Sequence, residues 1–273
     1  MSVQATAEAR TGISGLLNRW PLIMALARRE IEARSKGSFG GIGWYVVQTL
    51  LTVAIYSFVF GTLFRTRWAE TGQAPINFTM ALFIGLLVYN LFSEAVGRAP
   101  TLILANANYV KKLVFPLEIL PLVALLVALF NLAVGIAVFL IMAFLLQVDL
   151  HWVGLWFPVI LAPFVMLMLG LMWFLASFGT FVRDIAQVVG IAITMLMFLS
   201  PLFYPAGTLP EEFRAWIWLN QLTFPMEQAR RALLFGQAPD AVGLAIYAGV
   251  GGAVAILGYL WFAKTRKAFA DVL

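Results

Sequence analysis

The residues best equipped for chemistry stand together in NANYVKKLVFPLEILPL, residues 106–122. Asn106 and Asn108 carry amides, Lys111 and Lys112 carry adjacent ammonium groups, and Glu118 carries a carboxylate. On a short loop, amides and lysines can hold carboxylates, carbonyl oxygens or phosphates. They do not amount to a catalytic set, which needs a nucleophile, a base and an orienting group converging on one atom. Asp149 and His151 can pair, but no nucleophile accompanies them, and a hydrated turn accounts for both. The chain has no cysteine, which excludes thiolate chemistry and disulfides, and its one histidine leaves zinc or iron without the usual ligands. No GxxxxGK[ST] loop occurs. Lys36 precedes the glycines of KGSFGGIGWY (36–45) rather than following them, so these glycines bend the chain instead of cradling a phosphate.

The polar patch stands out because its surroundings are apolar. Of 273 residues, 62% are hydrophobic and 11% charged, against roughly 25% charged in a soluble domain. Charge-free runs cover 44–64, 76–93, 119–146, 152–182, 185–210 and 241–263. A helix crosses the hydrocarbon with about 20 apolar residues, so the runs predict six spanning helices. The second is short and extends through Glu94 toward Arg98. That spacing lets the two pair along one face, and the expected place for them is the membrane edge. A charge at the bilayer centre costs about 2.5–3.5 kcal/mol. No cleavable signal peptide is expected, because residues 1–40 hold six basic and three acidic side chains and no long apolar stretch. No internal repeat is visible.

Basic residues orient the spans. With the N-terminus inside, the inner side collects Arg10, Arg19, Arg28, Arg29, Arg34, Lys36, Arg98, Lys111, Lys112, Arg183, Lys264, Arg266 and Lys267. The outer side collects Arg65, Arg67, Arg214, Arg230 and Arg231, so the ratio is thirteen to five. Both termini and the 106–122 patch are therefore expected in the cytoplasm. Residues 16–34 place Leu16, Leu17, Trp20, Ile23, Met24, Ala27 and Ile31 on one helical face, with Arg28, Arg29 and Glu32 largely on the other. This predicts an amphipathic helix in the inner interface, with Pro21 in its first turn. It serves either as an anchor for the first span or as a docking surface for a partner.

Two Pro–Glu starts, FPLE (115–118) and FPME (224–227), put proline at a plausible first helical position and the carboxylate near the positive end of the dipole. TLPE (208–211) reads as a capping box. The segment 204–240 is too polar to span and too apolar to be a free loop, and its helix starts predict two short helices dipping into the outer leaflet. Trp216 and Trp218 would lie at interfacial depth. At depth such a segment must pack on protein or line water.

Three blocks together resemble a known family: RSKGSFGGIGWYVVQTLL, NANYVKKLVFPLEILPL and LSPLFYPAGTLPEEFRAWIWLNQLTFPMEQARRALLFG. In this order they are similar to the permease subunit of ABC-2-type exporters, most of all those for O-antigen polysaccharide or teichoic acid, with capsule permeases more distant. One departure is Asn220-Gln221 where these permeases commonly have Asn-Pro, which implies a softer turn.

The resemblance implies an all-α membrane protein with six transmembrane helices, an N-terminal amphipathic interface helix and two short re-entrant helices before the last span. It divides the chain into a cytoplasmic N-terminus (1–40) and a transmembrane domain (41–273) with its outer helix pair at about 206–240. It implies two copies of the chain, two copies of a cytoplasmic ATPase that bind ATP and Mg, a lipid-linked polysaccharide as cargo, and the bacterial inner membrane as location. This chain itself would hold no cofactor, have no enzymatic activity and bind no nucleic acid.

Arg28, Arg29, Asn106, Asn108, Lys111 and Lys112 would then face the ATPase, although positive-inside bias alone also accounts for the two lysines. Tyr56, Phe60, Phe203 and Tyr204 could stack on sugar rings or form part of an interfacial belt. Trp216, Trp218, Glu227 and Arg230 would belong to an outer gate. Alternatives are export of teichoic acid, capsule, a lipid or a drug, a structural scaffold, and a membrane-bound glycosyl- or acyltransferase.

The topology is directly testable, because single cysteines can be introduced into a chain that has none. Cysteines at Gln73 and Gln237 are expected to react with an impermeant thiol reagent from outside intact cells. Labelling only after the inner face is opened would reverse the assignment.

Overall fold

The computed structural model describes residues 19–36, 42–59, 75–110, 115–208 and 210–272. Those residues form helices, turns and connecting segments, with no strand among them. In chain order the helices are α1 (Trp20–Lys36), α2 (Ile42–Tyr56), α3 (Pro75–Arg98), α4 (Leu102–Ala105), α5 (Ala107–Val110) and α6 (Ile119–Leu145). They continue with α7 (Phe157–Phe181), α8 (Ile185–Leu199), α9 (Glu211–Leu219), α10 (Thr223–Leu233), α11 (Ala241–Thr265) and α12 (Phe269–Val272).

Among the described residues, four spans are long and apolar enough to cross a bilayer: Phe78–Ala105, Ile119–Leu145, Trp152–Phe181 and Ala241–Ala268. Two further apolar helices, Gly43–Val59 and Ile185–Leu199, are shorter. A helix of 15 residues such as α8 rises about 22 Å, against about 30 Å of hydrocarbon.

The core forms around α3, which packs against α6, α7, α8 and α10. Phe83 meets Phe139 of α6 edge-on at 5.6 Å, and Phe92 stacks on Phe164 of α7 at 6.1 Å. Lipid supplies no hydrophobic force between helices, so close approach depends on small residues. The α7–α11 contact shows this. A Cβ on Gly258 would lie 2.1 Å from the Gly170 carbonyl oxygen, and one on Gly170 would lie 2.3 Å from that of Val254. At the other edge of α7, a Cβ on Gly179 would lie 2.1 Å from the Pro100 oxygen. The 99–101 turn is thereby pressed onto the bundle.

The amphipathic helix is present as α1, but its buried face is narrower than the spacing predicts. Ile23 and Ala27 pack on Ile119 and Val123 of α6, while Trp20 and Met24 stay 48% and 46% exposed. The two outer helices also form, from slightly different starts. Pro210 caps α9 without a side-chain bond, and Pro225 lies inside the first turn of α10. Asn220 braces the turn between them, donating to the Leu199 carbonyl (3.1 Å) and Ser200 Oγ (2.8 Å) while its Oδ1 accepts from the Leu222 N–H (3.0 Å).

Glu94 departs from expectation. It was expected to pair with Arg98 at the membrane edge, yet Asn131 Nδ2 donates to both of its oxygens, at 2.8 and 2.7 Å. Asn131 is the thirteenth of the 27 residues of α6, so the carboxylate is held beside the middle of a span. Arg98 turns to Glu30 of α1 instead. The helix then runs past Arg98 through a 3-10 turn into α4, which shifts the edge by about two turns.

Gly258→Leu should separate α7 from α11 and cost about 1–3 kcal/mol by overpacking. Gly249→Leu, where an added Cβ meets nothing within 4 Å, should be close to neutral. Thermal unfolding in detergent measures both. Equal melting would show that the glycine contact does not hold the two helices together.

Candidate functional site

At the α1 end of the bundle the organising residue is Glu118, which sequence reasoning assigned to a helix dipole. It caps α6 without bonding the helix backbone. Its buried carboxylate instead takes Arg19, just before α1, at 2.8 Å and Arg266, just after α11, at 3.1 Å. Trp173 Nε1 of α7 donates to its backbone carbonyl at 3.0 Å. One carboxylate therefore ties the approach to α1 and the end of α11 to the start of α6. In the sequence both arginines count only as topology markers. The available signal was an acid bounding a long charge-free run at the same membrane edge as cations from two other segments.

The predicted coupling residues divide. Arg28 is exposed and pairs with Glu32 of its own helix at 2.9 Å. Arg29 and Asn106 line one cavity of about 390 Å³, together with Glu30, Arg98 and Tyr109. Asn106 also closes its own turn, with Nδ2 donating to the Leu102 carbonyl at 2.8 Å. Asn108 is exposed. Tyr109 stacks on Phe115 with centroids 4.3 Å apart. Lys111 and Lys112 lie outside the described residues. The geometry thus offers a notch between α1 and the 102–109 segment, with cations, an amide and an aromatic ring around it.

At the opposite end Arg230 of α10 is 1% exposed. Its Nε donates to the Ala81 carbonyl (2.9 Å), Nη1 to that of Pro201 (2.5 Å) and Nη2 to that of Leu202 (3.0 Å). Nη1 also reaches Glu227 at 3.3 Å. Burial pushes the guanidinium pKa down, and Glu227 pulls it back up. Gly85 leaves the room, since a Cβ there would stand 2.8 Å from Nη2. Of the residues assigned to an outer gate, Arg230 and Glu227 are thus joined, whereas Trp216 and Trp218 are exposed on α9.

The predicted aromatic contacts also gather at this end. Phe203 is buried and meets Tyr56 edge-on at 5.5 Å and Phe198 at 6.0 Å. Tyr204 donates to the Phe198 carbonyl at 3.3 Å, and burial raises its phenol pKa. Phe60 lies outside the described residues. His151 sits against Gly236, whose φ is +61°, and a Cβ on that glycine would lie 2.4 Å from the imidazole.

Comparison with known proteins agrees with this architecture. The ABC-2 type transporter family matches residues 21–234. The chain is 26% identical over 252 residues to a Myxococcus xanthus protein named O-antigen export system permease protein RfbA, covering 92% of this chain and 94% of that one. A Klebsiella pneumoniae protein of the same name is 26% identical over 255 residues, covering 92% and 95%. The Escherichia coli polysialic acid transport protein KpsM is 25% identical over 234 residues, covering 81% and 84%.

Two substitutions test the clamps at the two ends. Arg230→Met removes the partner of three buried carbonyls and of Glu227, and should cost about 3–5 kcal/mol of stability. Glu118→Gln keeps the shape but releases both arginines, and should cost about 1.5–3 kcal/mol, the range for hydrogen bonds to charged groups. Thermal unfolding in detergent reads both. An unchanged melting point for Arg230→Met would show that the outer helices are held by other contacts.

Proposed function

This chain belongs to the ABC-2 type transporter family, and on that premise we propose that it is the membrane-spanning permease of an ATP-driven exporter of lipid-linked polysaccharide, O-antigen being the first choice. The observation that carries this reading is similarity along nearly the full length of chains named O-antigen export permeases, with more than nine-tenths of each partner covered. In this reading α2 and α8 complete six spans, both termini lie in the cytoplasm, and the membrane is the bacterial inner membrane.

The notch bordered by Arg29, Asn106 and Tyr109 suits a cytoplasmic ATPase, and exposed Arg28 and the Lys111–Lys112 pair are the further cations assigned to that partner. Charges in such positions set docking rate and specificity. Because Glu118 holds Arg19 and Arg266, a push on α1 would reach α6 and α11 through one ion-paired junction. A polymer path between two copies of the chain would leave through the outer helices, with Tyr56, Phe60, Phe203 and Tyr204 near the sugar. α9 and α10, including Trp216, Trp218, Glu227 and Arg230, would close the exit.

Deleting the gene should remove the polymer from the cell surface while polymer accumulates inside. Loss of polymer from both places would favour a transferase. Charge reversal at Lys111 and Lys112, or at Arg28 and Arg29, should weaken co-purification of the ATPase while membrane insertion stays intact. Normal co-purification and normal export in both double variants would remove the coupling role.

A further inference from the structure

We propose that the cleft between α6 and the 150–158 turn is a lipid site that holds one acyl chain of a phospholipid. The inference goes beyond the export reading and needs only that the bundle spans a bilayer. A cavity of about 440 Å³ opens there, at the α10 end of the bundle. Leu87 of α3 and Phe139 of α6 form its buried floor, and Leu140 of α6 and Leu155 form its exposed lips. Leu233 of α10 also lines it. Among the lining side chains only His151 and Trp152 carry polar atoms, and both stand in the turn.

The chemistry of the walls selects the occupant. Water in a cavity needs two to four polar partners, and side chains of leucine, isoleucine and phenylalanine supply none. A hydroxyl-rich ligand fails for the same reason. Left empty, the cleft would deprive its lining of contacts on one side, so an apolar chain is what it suits. The lips show where that chain comes from. Leu140 and Phe144 share one face of α6 and both are exposed, as is Leu155 across the cleft. On a bundle that crosses a bilayer, such a surface meets lipid tails, which are as apolar as leucine.

The dimensions fit one chain of one leaflet. From Ile136 in the lining to Leu145 at the end of α6 is nine residues. That is about 14 Å of helix rise, against about 15 Å for half the hydrocarbon. At about 30 Å³ for each water-sized group, a volume of about 440 Å³ takes roughly fifteen methylenes. A polyprenyl tail several times that length would not fit. The polar end is placed to match. Trp152 is 88% exposed at the turn, and an indole favours the head-group region. The ring N–H groups of Trp152 and His151 can donate to ester or phosphate oxygens there. Leu233 lies three residues beyond Arg230, so a chain in the cleft also supports α10 beside its buried clamp.

The test uses the full chain in vesicles of phosphatidylethanolamine and phosphatidylglycerol. The probe is a phosphatidylcholine with a photoactivatable diazirine in one acyl chain, and its adducts are mapped by mass spectrometry. Adducts on 136–158 and Leu233 are expected severalfold above those on Ile246 and Val250, which α11 exposes. Leu140→Trp fills the cleft and should bring them down to the α11 level. Trp152→Ala, at an exposed site where packing is not at stake, should lower the excess as well. Stripping lipid with detergent should lower the melting temperature of the unaltered chain, and phospholipid added back should restore it. Leu140→Trp should lose that response. Adducts spread evenly over the cleft and α11 would mean ordinary boundary lipid and overturn the proposal. Preferential labelling by a diazirine polyprenyl phosphate would overturn it in favour of that lipid. Disulfide pairing of two copies through Leu155→Cys would overturn it in favour of a second copy of the chain.

Discussion

A bilayer offers no hydrogen bonds, so each polar group taken out of water must be answered from within the protein. Arg230 shows how far this constraint reaches. A guanidinium with no access to solvent is tolerable because three backbone carbonyls and a carboxylate converge on it. Those carbonyls come from α3 and from the turn after α8. Meeting the needs of one side chain therefore fixes the position of α10 against two other parts of the chain. Gly85 contributes by what it lacks, since any side chain there would occupy the same volume.

The same logic operates at the other end with the charges reversed. Glu118 is a buried acid between two partly exposed arginines. Alone it would be costly; paired twice, it becomes the point where the approach to α1, the start of α6 and the end of α11 meet. Breaking a buried pair by removing one member costs more than the pair contributes over an apolar substitute. Such junctions therefore govern arrangement more than overall stability. The two clamps lie at opposite ends of the bundle, and between them the helices are held by close packing.

That packing is uneven. The α7–α11 contact is tight because glycines let backbones approach, and α3 is enclosed by its neighbours. By contrast α2, α8 and the outer side of α11 expose large apolar side chains. Apolar exposure of this kind suits lipid or a second protein surface.

Much of this was legible in the sequence. Apolar runs bounded by charges set out the long helices, because a hydrocarbon layer of fixed thickness demands length and composition and little else. The amphipathic α1 and the two short outer helices followed from spacing and from proline, which act within a few residues of chain. The family was legible in three local blocks. What local patterning could not supply was the choice of partner. Glu94 stands four residues from Arg98 yet is held by Asn131, 37 positions away, and Glu118 finds Arg266 across 148. Arg230 looked like one more outer charge until the fold enclosed it. The period of a helix says which residues share a face, but the neighbour that face meets is set by how several helices fill one volume without leaving a buried polar group unanswered. That condition is met only when the whole bundle has assembled, so the clamps belong to the tertiary structure alone.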